Sequence, residues 1–320
     1  MKTTVIIPNY NGIDYLKDCL LSLSESESDG FETIVVDDGS KDGSAEYVRT
    51  SHPDVKLIAL AENTGFAAAV NRGIEAATTK YVLLLNNDTK VIGDFVRRME
   101  QAIEADEKIF SVSAKMLKLS DESTVDGAGD YYCALGWAYA YGKDKPEEKV
   151  DKKRQIFSAC GGAAIYRRDA VTELGLFDEM HFAYLEDVDL GYRARIAGYI
   201  NMYEPSAKVL HAGSGFSGSR YNEFKVGLSS KNSTYIIRKN MPFLQRIINL
   251  PFFIIGFGIK FLFFCLKGFG IVYLKGLFKG IADSLTAEGR AKKVPFKFAN
   301  FGNYVKIQVE LWINILRRFA

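Results

Sequence analysis

Short apolar runs alternate with amphipathic segments along the first third of the chain. The apolar runs lie at residues 4–7, 33–36, 55–60 and 81–85 and are rich in β-branched residues and leucine. Each run precedes a segment with apolar residues at helical spacing, such as Leu16, Leu20 and Leu23 after the first run. Continuous apolar strands that alternate with helices predict an α/β fold, with a mostly parallel sheet covered by helices on both faces.

Polar residues follow each of the four predicted strands. The polar loops span residues 8–12, 37–40, 62–65 and 86–89. Asp, Asn and Gly are ordinary turn residues, so a single loop of this kind says little about function. In parallel sheets, however, the loops at the carboxyl ends of the strands form the ligand crevice. Four polar loops in register therefore predict a crevice for a small polar ligand.

Three carboxylates, Glu186, Asp187 and Asp189, lie within four residues of an otherwise apolar and aromatic segment, residues 182–193. Apolar neighbours remove water from a carboxylate, which raises its pKa and prepares it to accept a proton. The cluster is therefore either a general-base or metal site, or the acidic first turn of a helix. Arg193 follows Asp189 by four residues, which predicts an ion pair along the same helix.

The common phosphate-binding loops are missing from the sequence. There is no Gly-x-x-x-x-Gly-Lys-Ser/Thr loop, and no Gly-x-Gly-x-x-Gly follows the first predicted strand. A nucleotide bound in the crevice would need carboxylates, backbone amides and a divalent cation instead. Mg²⁺ and Mn²⁺ prefer oxygen ligands and commonly take part of their coordination from substrate phosphates and water.

Charge is distributed unevenly along the chain. Residues 238–320 carry 14 Lys and Arg against 3 Asp and Glu, a net charge of +11. The preceding 237 residues carry 27 basic and 36 acidic residues, a net charge of −9. A mildly acidic domain joined to a basic tail indicates a polyanionic partner, either nucleic acid or an anionic membrane surface.

The basic tail is also strongly apolar. Residues 251–266 are interrupted only by Lys260, and 16 helical residues extend about 24 Å, less than the ~30 Å hydrocarbon core of a bilayer. Lys260 and Lys267 share a helix face, which predicts helices lying in the membrane interface with lysines toward the lipid headgroups. A kinked membrane span, a re-entrant hairpin, a soluble packing arm and a homodimer interface are the alternatives. Nucleic-acid binding is not expected, because the basic residues alternate with large aliphatic ones.

The cysteines and the N-terminus indicate the compartment. Cys19, Cys133, Cys160 and Cys265 show no paired spacing, and we expect four unpaired, buried thiols in a reducing environment. The chain runs from Met1 directly into the first predicted strand without a signal peptide, so cytosolic synthesis is expected. Together with the tail, this predicts a peripheral or monotopic protein on the cytoplasmic face of the cell membrane.

An ordered set of motifs runs through residues 3–240. Its parts are TVIIPNYNG (4–12), IVVDDGS (34–40), ENTGF (62–66), NRG (71–73), LLNND (84–88), GGAA (161–164), RR (167–168), GLFDE (175–179), EDVD (186–189), HAG (211–213) and RKN (238–240). The chain resembles the inverting family 2 glycosyltransferases with the Rossmann-like A-type nucleotide-sugar fold, close to the rhamnosyltransferase-like branch. The resemblance implies a catalytic domain over residues 1–240, and the basic, apolar pattern of the tail predicts a helical membrane-association region over 241–320. Within the domain, residues 1–110 would bind the donor and 111–240 the acceptor.

The resemblance also implies roles for individual residues. Asp38 would hydrogen-bond the nucleotide base. Asp88 matches the last acid of the family's Asp-x-Asp metal motif, and Asn86 stands where the family has the first acid, so modest or diphosphate-dependent affinity for Mn²⁺ or Mg²⁺ is expected. His211 matches a histidine that helps to hold the metal or the diphosphate. The other residues implied in nucleotide-sugar binding are Pro8, Asn9, Tyr10, Asn63, Arg72 and Asn87.

Asp187 matches the family's general base, and Glu186 would orient the acceptor. The implied reaction is a single in-line displacement with inversion, from a nucleoside-diphosphate sugar to a hydroxyl group. The resemblance favours dTDP-rhamnose as the donor, with UDP-hexoses next, and the apolar tail favours a polyprenyl-diphosphate-linked glycan as the acceptor. A sugar nucleotidyltransferase is an alternative, although residues 9–12 lack the cations it needs. A catalytically inactive membrane scaffold is the other, supported only by Asn86.

Overall fold

The computed structural model describes residues 1–28, 30–213 and 221–319. A ten-stranded mixed sheet forms the centre of the molecule, in the order β10-β12-β6-β11-β4-β1-β2-β3, with β5 paired to β12 and β7 to β6, and β8 and β9 form a separate hairpin. The strands are β1 (Thr3–Asn9), β2 (Glu32–Asp37), β3 (Lys56–Ala59), β4 (Tyr81–Leu85), β5 (Thr89–Val91), β6 (Ile109–Lys118), β7 (Asp121–Gly127), β8 (Asp130–Cys133), β9 (Trp137–Ala140), β10 (Arg154–Ile156), β11 (Ala163–Arg167) and β12 (Ile200–His211).

Helices cover the sheet and form the C-terminal region. They are α1 (Ile13–Ser24), α2 (Ser44–Ser51), α3 (Phe66–Ala76), α4 (Phe95–Glu104), α5 (Arg168–Glu173), α6 (Glu186–Ile196), α7 (Glu223–Asn240), α8 (Phe243–Leu266), α9 (Gly270–Asp283), α10 (Ala287–Ala291) and α11 (Phe301–Phe319). The four strands predicted from the sequence are β1 to β4, and they are parallel to one another. The predicted α/β class with a mostly parallel sheet is confirmed. The exception at the centre is β11, which is antiparallel to both of its neighbours.

Two apolar layers lie on the two faces of the sheet. Successive residues of β1 alternate between them, since Val5 and Ile7 pack in one layer and Ile6 in the other. All three side chains are fully buried, which explains why this strand is a continuous apolar run. The covered faces leave only the strand ends for polar chemistry.

A buried ion network joins α6 to α7. The ammonium of Lys239 lies 2.6 Å from Asp178 Oδ2 and 2.8 Å from Asp189 Oδ2. Arg193 Nε donates to Asp189 Oδ2 at 2.9 Å, which confirms the predicted pair, and Asn240 Nδ2 donates to Asp189 Oδ1 at 2.8 Å. Burial by itself would raise the pKa of Asp189, yet the Lys239 and Arg193 cations hold it well below the ordinary range. Asp189 is therefore a structural residue.

The apolar helix α8 is longer than the sequence indicated. It begins at Phe243 rather than at residue 251, and its 24 residues extend about 36 Å. Within the described ranges it is the one helix long and apolar enough to cross a membrane, by length and composition. The earlier residues were not recognised as part of it because polar side chains interrupt the apolar pattern. Two of these, Gln245 and Asn249, are buried against the rest of the protein.

Two expectations were wrong, one about the direction of Lys260 and one about the burial of the cysteines. Lys260 does not extend outward with Lys267, because its ammonium lies 5.4 Å from the centre of the Trp137 ring on β9. Lys267 itself is exposed. Cys265 is exposed on α8 rather than buried, and Cys160 is only half-buried.

We expect Lys239→Met to lower the free energy of unfolding by about 3–5 kcal/mol, because it leaves Asp178 buried without a cation and Asp189 with Arg193 as its remaining cation. The midpoint of urea unfolding, followed by tryptophan fluorescence in detergent, measures this change. Lys279→Met is the matched control. Lys279 is 66% exposed and pairs with Asp283 on the surface of α9, so its loss is expected to cost no more than about 0.5 kcal/mol. Equal midpoints for the two variants would contradict the structural role of the network.

Candidate active site

The polar loops after β1, β2 and β4 meet at Asn9. Its Nδ2 donates to Asp37 Oδ2 at 3.0 Å, and its Oδ1 accepts from Asn87 Nδ2 at 2.6 Å. The backbone N–H of Asp38 donates to the carbonyl of Asn9 at 2.8 Å. Three of the loops predicted to converge therefore do so, and side chains of the residues predicted to bind the nucleotide hold them together.

Asp38 connects the fourth loop to this group. Its carboxylate is 3% exposed and accepts three hydrogen bonds, from the backbone N–H groups of Thr64 and Gly65 at 2.8 and 2.9 Å and from the Thr64 hydroxyl at 2.7 Å. Gly65 has φ +91°, and a Cβ there would collide with Phe182 in the loop before α6. Asp38 thus fixes the start of α3 against that loop, and its contact with a base stays a prediction.

The other predicted donor residues are placed unequally. Pro8 and Tyr10 flank Asn9 at the end of β1 and are half-buried. Asn63 is exposed, and its Oδ1 accepts from the Gly65 N–H at 3.0 Å. Arg72 lies on the exposed face of α3, where it pairs with Glu75 at 3.1 Å. Among the described residues, no hydrogen bond joins Arg72 to the Asn9 group.

Strand pairing brings the two predicted metal ligands together. Residue 89 at the start of β5 pairs with His211 at the end of β12, although the two are distant in sequence. His211 Nε2 consequently lies 3.3 Å from Asp88 Oδ1. The other ring nitrogen, Nδ1, lies 2.7 Å from Asp126 Oδ2 on β7. Asp126 also accepts a hydrogen bond from the Lys143 ammonium at 2.7 Å.

The chemistry of this pair fits a divalent cation. Burial by itself lowers the pKa of His211, but its hydrogen bonds to Asp126 and Asp88 raise it to about 9, so the ring carries a proton that a metal must displace. A carboxylate oxygen and an imidazole nitrogen then face the same point, and both are ligands that Mn²⁺ accepts. Asn86 adds little to this set, because its amide packs closely against Gly162.

Asp187 lies at the first turn of α6. Its Oδ2 accepts from the Gly161 N–H at 3.1 Å, and its Oδ1 accepts from the Val188 N–H at 2.7 Å. Burial raises the pKa of Asp187, and these hydrogen bonds counter only part of the effect. The carbonyl of Gly162 accepts from the N–H of Asn86 at 2.8 Å. The turn at Gly161 and Gly162 therefore connects the predicted base to the loop that carries Asp88.

Two further acids lie beside Asp187. Glu186 is 6% exposed, and its Oε2 has no hydrogen-bond partner among the described residues. Asp130, at the start of β8, has a carboxylate oxygen within 4.8 Å of ligand atoms of both Asp187 and Cys160. Burial, and then the charge of Asp187, raise the pKa of both Glu186 and Asp130 well above the ordinary range. These carboxyls therefore take up protons at a higher pH than isolated carboxyls do.

The loop before α6 is strained and is held by one amide. Phe182, Tyr184 and Leu185 have φ angles of 64°, 68° and 69°, in the left-handed region that non-glycine residues rarely adopt. Asn232, fully buried on α7, donates through Nδ2 to the carbonyls of His181, Ala183 and Tyr184 at 3.0, 2.9 and 2.7 Å. This amide fixes the entry of the chain into the helix that carries Asp187.

A second acid and histidine cluster, Asp178, His181 and Asp189, is fully buried. The ammonium of Lys239 already lies between its two carboxylates. Burial lowers the pKa of His181 to about 4, which keeps its ring neutral. The cluster is therefore filled by a side-chain cation and is part of the ion network described above.

Sequence reasoning missed Asp126, Asp130 and Lys143. The signal was present, because two acids flank Gly127, Ala128 and Gly129 directly before an apolar and aromatic stretch. The segment 126–130 places one acid against His211 and the other beside Asp187. The contacts of this segment with His211 and Asp187 depend on the pairing of β7 with β6, which no local sequence pattern reveals.

The model of glycosyl transferase family 2 matches residues 4–175 of the chain. N-acetylglucosaminyl-diphospho-decaprenol L-rhamnosyltransferase of Mycobacterium tuberculosis is 28% identical over 232 residues, covering 65% of this chain and 75% of the relative. Poly-beta-1,6-N-acetyl-D-glucosamine synthase of Staphylococcus aureus is 27% identical over 206 residues, 64% of this chain and 48% of the synthase. The chain thus spans about half the length of the synthase.

Solved structures share the fold. GalNAc-T7 with UDP, GalNAc and Mn²⁺ has a TM-score of 0.60 at 17% identity, over 75% of this chain and 48% of that one. The mannosyltransferase PcManGT from Pyrobaculum calidifontis, with GDP-Man and Mn²⁺, has a TM-score of 0.54 at 17% identity, over 97% and 86%. The fold is the A-type glycosyltransferase fold, and the molecule is a glycosyltransferase that uses a nucleotide sugar. The chain therefore belongs to glycosyl transferase family 2.

Proposed function

We propose that the enzyme transfers a sugar, with inversion, from a nucleoside-diphosphate sugar to a hydroxyl of a lipid-linked glycan during cell-surface polysaccharide synthesis. The observation that carries this proposal is the turn at Gly161 and Gly162. It hydrogen-bonds the carboxylate of Asp187 on one side and the backbone of the Asp88 loop on the other. This turn therefore connects the predicted base to the loop that carries Asp88, one of the two residues predicted to hold the diphosphate, and a single displacement requires both to act on the same donor.

In this mechanism, Asp187 accepts the proton of the acceptor hydroxyl while the hydroxyl oxygen attacks the anomeric carbon. The bond between that carbon and the phosphate oxygen breaks, and the nucleoside diphosphate leaves with the bonding electrons. Asp88 and His211 would hold Mn²⁺ or Mg²⁺, which neutralises charge on the departing diphosphate when it is bound. Glu186 would orient the acceptor. Asp38, Asn9 and Asn87 would line the nucleotide pocket, together with the backbone of Pro8 and Tyr10.

For the donor sugar, we propose rhamnose from dTDP-rhamnose, with UDP-hexoses as the next choice. The mycobacterial relative is named as a rhamnosyltransferase. Its name also gives a diphospho-decaprenol acceptor, which supports a polyprenyl-diphosphate-linked glycan as the acceptor here. Such an acceptor is held in a membrane, so the enzyme would act at the cytoplasmic membrane face.

The packing of α8 supports membrane association. Its buried stripe contains Gln245 and Asn249, while its isoleucines and leucines are mostly exposed, the reverse of a soluble helix. Asn249 and Gln308 on α11 exchange amide hydrogen bonds of 2.7 and 2.8 Å. Of the 28 large hydrophobic side chains found exposed in the described ranges, 23 lie after residue 242. An apolar surface of this kind marks a lipid or protein interface, and the basic charge of this region favours anionic lipid.

The activity is tested by transfer from dTDP-rhamnose and UDP-hexoses to a polyprenyl-diphosphate-linked acceptor, with the released nucleoside diphosphate measured. We expect Asp187→Asn to lower kcat by at least about a hundredfold, because the base is lost, while the thermal shift caused by the nucleoside diphosphate and Mn²⁺ is retained. Asp169→Asn is the control, since Asp169 is exposed on α5 and its ion pair within the described ranges is with the adjacent Arg168. Full turnover in Asp187→Asn would contradict the role of this residue, and release of pyrophosphate would identify a nucleotidyltransferase.

We expect kcat/KM to fall as the pH is lowered, with a midpoint above the ordinary aspartate range of about 4. The reason is that the pKa of Asp187 is raised, so the base becomes protonated and inactive at a higher pH than usual. Asp130 takes up its proton more readily than Asp187, because burial and the charge of Asp187 raise its pKa well above the ordinary range, so Asp130→Asn is expected to leave this midpoint nearly unchanged. A pH profile of kcat/KM for both proteins, with circular dichroism as a check on folding, makes the comparison. A midpoint at or below the ordinary aspartate range in the unmodified protein would contradict the raised pKa of Asp187.

We expect the protein to sediment with phosphatidylcholine vesicles more completely when they contain phosphatidylglycerol. The double variant Ile255→Glu with Leu262→Glu should bind vesicles at least about tenfold more weakly, because it places two charges on the apolar face. Leu21→Glu is the control, since Leu21 is 53% exposed on α1, compared with 54% and 64% for the two variant positions. Two outcomes would instead assign this face to a second copy of the chain. One is equal vesicle binding by both variants, and the other is a dimer that forms without vesicles and that the double variant dissociates.

A further inference from the structure

Asp126 is the residue that fixes the ring of His211. Its Oδ2 lies 2.7 Å from Nδ1, while Nε2 is directed to Asp88 at 3.3 Å. The ring is 14% exposed and Asp126 17%, so this hydrogen bond is shielded from most water. A carboxylate that accepts from one ring nitrogen determines which nitrogen is free for a ligand.

Asp126 is itself held in place from two sides. Lys143 donates to Oδ1 at 2.7 Å, so the carboxylate oxygens are divided between Lys143 and His211. The backbone of β7 carries Asp126 beside the buried Val125, and β7 is paired with β6. The carboxylate has little freedom to rotate, because both of its oxygens are hydrogen-bonded and the backbone of the residue lies in a paired strand.

The alternative to a functional role is a plain surface ion pair. Asp121, on the same strand, is a surface carboxylate with local bonds, because it is exposed and its side-chain hydrogen bonds within the described residues come from nearby Ser123 and Thr124. Asp126 differs from Asp121 in its hydrogen-bond partner. It contacts a histidine 85 residues away that also faces an acid at the donor crevice.

We propose that Asp126 is a positioning residue that orients His211 so that Nε2 and Asp88 together bind the divalent cation of the donor complex. The inference rests on the proposed function, which gives Asp88 and His211 their metal. Carboxylates that accept a hydrogen bond from a metal-binding histidine hold the ring at the required angle and increase its basicity. Their loss typically costs ten- to a hundredfold in metal affinity. Asp126 makes no contact with the donor sugar in this scheme and acts only through the ring.

The test is titration of the full-length protein in detergent with Mn²⁺, with free Mn²⁺ followed by electron paramagnetic resonance in the presence of dTDP or UDP. We expect Asp126→Ala to weaken Mn²⁺ binding by about ten- to a hundredfold. Asp126→Asn, which keeps an acceptor oxygen but loses the charge, should weaken it less. Asp121→Asn should bind as the unmodified protein does. Thermal unfolding confirms the fold of each variant, and if Asp126→Ala does not fold, Asp126→Asn decides the result.

A double variant separates positioning from direct ligation. If Asp126 acts only through the ring, Asp126→Ala with His211→Gln binds Mn²⁺ no more weakly than His211→Gln alone. Additive losses would overturn the proposal, as would unchanged affinity in Asp126→Ala, or no Mn²⁺ binding by the unmodified protein. Sugar transfer is measured separately. Sugar transfer without a bound metal would contradict this inference but not the proposed function. Metal binding without sugar transfer would contradict the proposed function but not this inference.

Discussion

The position of the predicted base depends on one buried ammonium. Lys239 joins Asp178, in the turn before the strained loop, to Asp189, in the first turns of α6. Without this cation, two carboxylates would be buried together and would repel each other. Asn232, about two helical turns before Lys239, holds the loop itself through three carbonyls. Helix α7 therefore acts as a support that fixes both ends of the segment leading to Asp187.

The segment 126–130 gives the site its second support. Asp126 engages His211 at the end that would hold the diphosphate, and Asp130 lies beside Asp187 at the end that would hold the acceptor. Three glycine or alanine residues separate the two acids, so a short piece of backbone links the two ends. On the opposite side, Gly161 and Gly162 make the corresponding connection through main-chain groups.

Much of the fold was predictable, because strand burial on both faces produces continuous apolar runs that are visible locally. The contact between Asp88 and His211 followed from the family resemblance. Asp126 and Lys239 were not predictable as partners, since their contacts depend on strand and helix pairings between distant segments. The start of α8 was missed for a related reason. Gln245 and Asn249 look like an interruption of an apolar helix, but they are the residues that face the protein. Periodicity reports the contrast between two faces of a helix and does not say which face is inward.

The hairpin of β8 and β9 stands between the C-terminal helices and the acids. Its Trp137 donates to the carbonyl of Gly256 on α8 at 3.0 Å, and Tyr139 donates to the carbonyl of Asn314 on α11 at 2.6 Å. Asp130 begins the same hairpin. Among the described residues, these hydrogen bonds therefore join the hairpin that begins at Asp130 directly to α8 and α11. If α8 lies in a membrane, as proposed, this packing would set the distance of Asp187 from the lipid, and acceptor sugars at a matching distance from their lipid anchor would be favoured.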